Sequence, residues 1–159
     1  MRQKRNYWLL KSEPATYSLK DLEKERETQW TGVRNYQARN FMRDDMTPGD
    51  HILFYHSNTN SPSIVGVGKV DTMSYPDPTQ FNSKSTYYDP QATKKQPRWF
   101  CVTVSFVKEF KEPVLLKTLK LSVVFSDMIL TQKGSRLSVQ PVTAQHFNAV
   151  LALSGEGKK

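Results

Sequence analysis

Apolar and polar positions along this chain follow two periods. Residues 98 to 107 (Arg-Trp-Phe-Cys-Val-Thr-Val-Ser-Phe-Val) keep the period of two that an extended strand imposes. Phe100, Val102, Val104 and Phe106 take one face, and Trp99, Cys101, Thr103 and Ser105 the other. Shorter apolar runs at Tyr7 to Leu10, His51 to Tyr55, Ile64 to Val70 and Leu137 to Val139 read as further strands. Lys11-Ser-Glu-Pro14 and Thr47-Pro-Gly-Asp50 are turns, and His56 to Ser63 is a loop. Elsewhere the period is helical. Ser18 with Asp21 predicts a capped helix that buries Leu19 and Leu22, with a solvated charged run from Glu23 to Glu27 behind it. Leu115 to Leu121 predicts a short helix. Thr143 to Leu153 predicts a capped closing helix with Phe147, Val150 and Leu151 inward and Gly155 after it. From Asn35 to Asp45, a turn of ~100° per residue sets Ala38, Phe41 and Met42 on one arc and Asn35, Arg39 and Arg43 on the opposite one.

Strands alternate irregularly with helices and no repeat is visible, which predicts one α+β domain over 1–159 with a mixed, curved sheet closing into a small barrel. Gly66 and Gly68 leave one face of their strand bare, so that another backbone or a ligand comes close. Ser74 to Pro97 lacks any period. It carries Pro76, Pro78, Pro90 and Pro97 with Tyr75, Phe81, Tyr87 and Tyr88, so it reads as a functional loop or as a plug for the edge of the core.

The charge adds a partner class. With 23 Lys and Arg against 15 Asp and Glu, the net charge of +8 favours a polyanion, because phosphates release counterions when basic groups bind them. Other classes recede. Cys101 is the only cysteine, so it forms no internal disulfide or thiolate cluster and reads as a packed strand residue. His51, His56 and His146 lie far apart, which gives no metal-ligand spacing. No nucleophile elbow surrounds Ser12 or Ser57, and Gly66-x-Gly68 within a strand is not a dinucleotide fingerprint, so neither a cofactor nor catalysis is expected. No apolar run nears the ~20 residues of a membrane span, and Tyr7 to Leu10 is too short for a signal-peptide core. The expectation is a soluble, cytoplasmic protein, monomeric and without a membrane partner.

Binding chemistry is better supplied. Trp30 offers a stacking face and Glu13 an acceptor for an exocyclic amine such as cytosine N4. Ser57 and Asn58 offer donors to a ring nitrogen or carbonyl. Arg34, Arg39, Arg43, Lys133 and Arg136 offer cations for a phosphate backbone. The plainer alternative makes Trp30 a core residue and the arginines a solvated helix face.

Taken in order, several segments resemble the EVE domain family: Tyr7-Trp-Leu-Leu-Lys-Ser-Glu-Pro14, Tyr17-Ser-Leu-Lys-Asp-Leu22 and Gly32-Val-Arg-Asn-Tyr-Gln-Ala-Arg-Asn-Phe41. Phe54-Tyr-His-Ser-Asn58, Ile64-Val-Gly66, Tyr75-Pro-Asp-Pro78, Tyr87-Tyr-Asp-Pro90, Pro97-Arg-Trp99 and Arg136-Leu-Ser-Val-Gln-Pro-Val142 continue the likeness to about Leu153. The resemblance implies a PUA-like mixed β-barrel flanked by short helices, related to the ASCH and YTH domains. It also implies a non-catalytic reader of nucleic acid that takes an extruded, modified base, with 5-methyl- or 5-hydroxymethylcytosine in DNA foremost. Trp30 lies where the first cage tryptophan of that fold is expected, with Tyr55 or a loop aromatic opposite it. The implied base site is Ser12, Glu13, Trp30, Asn35, Tyr55, Ser57, Asn58, Tyr75 and Asp77; the implied phosphate contacts are the cations named above. Two rivals stand beside it: an RNA-binding protein of the translation or RNA-modification machinery, and an ASCH-like hydrolase using Lys11 with Glu13. Thr31 replaces the family's usual Asp, which leaves the preferred base open. The chain also starts close to its first strand, as stand-alone prokaryotic members do.

Overall fold

The sheet is organised around a parallel pair. Strand β1 (Tyr7–Ser12) runs parallel to β3 (His51–His56), with Leu10 opposite Phe54. A parallel pair needs a long crossover, and the intervening segment supplies it: α1 (Leu19–Glu25), β2 (Glu27–Gln29) and α2 (Tyr36–Asn40). The structure, a computed structural model, describes residues 6–134 and 136–155. Antiparallel strands extend the pair on both sides. They are β4 (Ser63–Val70), a short β5 (Tyr75–Pro76), β6 (Phe100–Cys101), the long β7 (Thr103–Leu115) and β8 (Val139–Val142). The order β2-β7-β4-β3-β1-β8 gives a mixed six-stranded sheet that curls into a half-barrel, while β5 and β6 form a small second sheet. The curl stops short of closure, since β2 and β8 stand at its two ends.

Both faces of the sheet are buried, as the unbroken apolar run of β1 requires. Trp8, Leu10, Ile52 and Phe54 face one core with Leu19, Leu22, Trp30 and Met42. Leu9, Leu53 and Tyr55 face the other, under α4 (Ala144–Leu153) and the stretch that begins with α3 (Leu116–Lys120). Ser18 caps α1 through a reciprocal box with Asp21, and Leu19 and Leu22 point inward as the pattern requires. Thr143 caps α4, which buries Phe147 and Val150.

The glycines of β4 serve a backbone, not a ligand. A Cβ on Gly66 would lie 2.4 Å from the Lys108 carbonyl oxygen and 2.5 Å from Leu19 Cδ2. The β4–β7 register shifts between Ile64 and Gly66, so the bare face admits β7 and α1 together.

The pattern misplaced four boundaries, one of them the last strand, expected from Leu137 to Val139 and found at Val139–Val142. Residues 98 to 107 are not one strand: Cys101 and Val102 are both buried, and the chain changes sheets between them. The Val102 carbonyl instead accepts from Trp30 N at 2.9 Å. The helix after Asn35 is α-helical only to Asn40 and widens into a π-helical turn, Phe41–Asp45. Glu27, read as the end of a charged run, instead opens β2, which pairs with β7 at the sheet's edge.

Candidate functional site

A cavity of about 640 Å³ opens where β1 ends, between the turn that follows it, β2 and residues 30–35. Ser12, Glu13, Tyr17, Gln29, Trp30, Thr31, Asn35 and Tyr87 are among the residues that line it. Trp30 unites the two readings open in the sequence. Its surface is only 9% exposed, and its ring stands edge-on to Phe54 at 5.5 Å and to Tyr17 at 6.3 Å. It is a core residue that gives the cavity a wall. Tyr17 keeps its proton at any ordinary pH: burial, and then the bond it donates to Glu25, push its phenol up to about 12.

Gly32 brings the loop aromatic to the cavity. Its φ of +87° is a backbone conformation that side chains rarely adopt, and a Cβ there would lie 2.7 Å from the Tyr87 ring. Beneath this contact sits Asp77, wholly buried. One carboxylate oxygen accepts from Gly32 N at 2.8 Å and from Arg34 Nη1 at 3.1 Å; the other accepts from Thr79 N at 2.8 Å and from the Thr79 hydroxyl. Arg34 answers with its whole guanidinium. Nε and Nη2 donate to the Tyr87 carbonyl, Nη2 also to Thr79 Oγ1, and Nη1 also to the Val33 carbonyl. The group lies 5.2 Å from the Trp99 ring centre.

The expected site residues therefore separate. Ser12, Glu13, Trp30 and Asn35 meet at the cavity. Ser57 N binds the Ser12 carbonyl, and Asn58, in the left-handed region at φ 52°, donates to Glu13 at 3.3 Å, so this turn borders the same rim. Asn35 also caps α2, accepting from Ala38 N. Tyr55 is a correction: strand alternation sends its ring to the opposite core, so it cannot stand across from Trp30. The loop aromatic that lines the cavity with Trp30 is Tyr87. Asp77 is wholly buried and bonded to Arg34 and the loop, while Arg34 makes those same bonds and also lines the cavity. Tyr75 bonds Thr103 at 2.7 Å and lies outside the cavity lining.

The cations also divide. Arg39 and Arg43 stand on α2 and the π turn, outside the cavity lining, and Asp44 holds Arg43 in two bonds. Arg136 is exposed two residues before Ser138, which lines the cavity. Lys133 lines a different depression, built on the other core. Lys11 and Glu13 both line the cavity, with the Lys11 ammonium 5.9 Å from the Tyr55 ring centre and its pKa lowered by burial. Cys101 is fully buried, and burial pushes its thiol up to about 12. Among the described residues no cluster of His, Cys, Asp or Glu could hold a metal ion.

A curled mixed half-barrel with short flanking helices and a cavity at one end is a PUA-like fold. Within that class the chain belongs to the EVE domain family, which it matches over residues 6–153. It is 40% identical to thymocyte nuclear protein 1 of Gallus gallus, over 94% of this chain and 69% of that one. A crystal structure of a protein from Pseudomonas syringae is 47% identical, with a TM-score of 0.89 over 93% of this chain and 99% of that one. The human THYN1 protein, 38% identical, has been solved in complex with DNA containing 5-methylcytosine; its TM-score is 0.87 over 94% of this chain and 97% of that one.

Proposed function

We propose that this chain is a non-catalytic nucleic-acid-binding module whose cavity receives an extruded, modified cytosine from DNA. The observation that carries the reading is the cavity itself. Two aromatic walls, Trp30 and Tyr87, face a polar rim of Glu13, Gln29, Thr31 and Asn35, within the volume range of small-ligand sites. A base needs both parts: flat apolar surface for its ring and fixed acceptors and donors for its edge. The relative solved with methylated DNA supports cytosine as the base. Glu13 would accept from the exocyclic amine, and the 5-substituent would fill apolar space beside an aromatic wall. One methyl group contributes only ~1–3 kcal/mol, so preference over plain cytosine should be ~10- to 200-fold.

Matched oligonucleotides carrying cytosine, 5-methylcytosine or 5-hydroxymethylcytosine test this by fluorescence anisotropy, each made as DNA and as RNA. The expected result is preference for modified DNA, reduced by Glu13→Gln. Equal affinity for all cytosines would refute the cavity as a reader. Preference for the RNA series would move the target to RNA, because the 2′-hydroxyl is what a site uses to tell the two apart.

A further inference from the structure

Beside the cavity, but outside it, lies a stack of aromatic rings and guanidinium groups that the base-reading proposal does not use. Tyr36, the first residue of α2, lies nearly parallel to Trp99, with ring centres 4.9 Å apart and 21° between planes. Trp99 is held from below: its indole N–H donates to Asp89 at 2.8 Å, and its backbone N–H to the buried Gln80 side chain at 3.0 Å. Tyr36 is thereby fixed on one side, yet remains 48% exposed. A large ring held rigid and left in water is a surface for something else to cover.

Cations frame that ring. The Arg39 guanidinium lies 4.6 Å from its centre and that of Arg98 5.9 Å, and Arg98 Nη2 also donates to the Tyr36 hydroxyl. Arg43 continues the line beside Phe100. Asp44 pairs with Arg43 and Asp89 with Arg98, but among the described residues no carboxylate pairs with Arg39. Its donors go to the Asn40 side-chain oxygen and the Arg98 carbonyl. Burial first, and then the charge of Arg43, lower its pKa, with Tyr36 and Asp44 opposing them and Arg98 adding a smaller push in the same direction. The turn Thr93 to Gln96, which leads into Arg98, carries Lys94 and Lys95 out into solvent.

We propose that Tyr36 is a stacking platform for the nucleotide next to the extruded base, with Arg39 and Arg98 holding the phosphate between the two. The strand would then leave the cavity past Asn35, cross Tyr36 and run toward Arg43, and away from Lys133. This rests on the cavity reading for its direction, but it commits to something separate: an unpaired base on one defined side of the modified one. Stacking tolerates any base, so the platform adds affinity without selectivity.

The test uses a short single strand of DNA with one 5-methylcytosine, and the same strand made abasic on each side of it in turn. The protein should bind about tenfold more weakly when one neighbour is missing and be unaffected by loss of the other. Tyr36→Ala, checked by its melting curve, should bind the intact strand about tenfold more weakly and ignore both abasic changes. Tyr36→Phe, which keeps the ring, should behave as the parent does. Arg39→Gln and Arg98→Gln should each flatten the dependence of log K on log salt by about 0.7. Tyr36→Ala that binds like the parent, or a parent indifferent to both abasic strands, overturns the platform. Equal affinity for cytosine and 5-methylcytosine overturns the cavity reading instead, while the Tyr36 comparison still decides the platform.

Discussion

Two depressions on this molecule have similar volumes, about 640 Å³ beside Trp30 and about 710 Å³ around Leu119 to Gly134, but they are built in different ways. Beneath the first lies a closed polar network in which Asp77, Arg34, Gly32 and Thr79 satisfy one another. The second is walled by short 3-10 turns, Val123–Phe125 and Ile129–Thr131, with Leu121 and Val123 82% and 84% exposed. A concavity of a given size can thus be a fixed mould or a gap between turns. The difference lies in what ties the walls. The first is held through a wholly buried carboxylate paired with a guanidinium, the second by Thr131, Gln132 and His146 on turn carbonyls. A wall fixed by a buried ion pair holds its ring faces in register with a ligand before the ligand arrives.

Removing the pin should give the largest effect. Asp77→Ala leaves the Arg34 guanidinium, whose side chain is 22% exposed, without its carboxylate and the Gly32 N–H without an acceptor. Breaking one side of such a buried pair costs about 3–5 kcal/mol, readable by chemical denaturation. Arg34→Met added to Asp77→Ala should recover part of that loss, because the stranded charge goes too. A loss below ~1 kcal/mol would mean that the first wall is no more fixed than the second, and the contrast between them would fail.

Trp30→Ala comes next. The ring is packed against Phe54 and Tyr17, so stability should fall by about 3 kcal/mol, the low end for deleting a buried indole because one edge already faces the cavity. Thermal melting should show that fall together with a smaller preference for modified over unmodified oligonucleotides. A large melting shift with the preference intact would make Trp30 core alone and leave Tyr87 as the working wall.

How much of this the sequence discloses depends on how far apart the partners lie along it. The Ser18–Asp21 box and the buried faces of α1 and α4 are local, and the pattern placed them. The parallel β1–β3 pair joins residues far apart in the chain, yet each strand announces itself by its apolar run. The network at Asp77 had no such signal. Its partners Gly32 and Arg34 are some 45 residues away, and Asp77-Pro78-Thr79 alone says only that Asp77 caps a turn, which it also does. Tyr55 was misassigned because its strand was found without its facing being fixed. An alternating strand sends neighbours to opposite cores, and nothing local says which core holds the cavity. Tyr36 and Trp99 were seen as parts of a helix and a strand, and only the fold stacks them.

Cys101 tests the packed region beneath the cavity more gently. Cys101→Ala should cost about 1–2 kcal/mol and leave nucleic-acid binding unchanged. The thiol also predicts a pH dependence. Its folded pKa of about 12 lies above the ordinary 9.0, so between those values the native state keeps a proton that the unfolded chain has released. Stability from this group is therefore complete below about pH 9 and is lost as pH rises toward 12. Tyr17 titrates near the same end of the range, so the difference between parent and Cys101→Ala is the quantity to measure. A thiol reagent that labels the folded protein rapidly at pH 8 would show that Cys101 is not sealed.

The smallest effect should come from the second depression, where its smallness is informative. Leu121 and Val123 keep more than four-fifths of their surface in water, so Leu121→Ser with Val123→Ser gives up almost no burial. No capping bond depends on either side chain, since the local turn is held by the Ser122 hydroxyl and backbone bonds. Denaturation of the double variant should stay within ~0.5 kcal/mol of the parent, and affinity for methylated oligonucleotides should not change. A cost above ~1 kcal/mol would mean that these aliphatic side chains are covered in solution, so that both depressions are constrained surfaces. An unchanged stability with weakened binding would be more telling still: it would place the nucleic acid across the core that holds Lys133, not along α2.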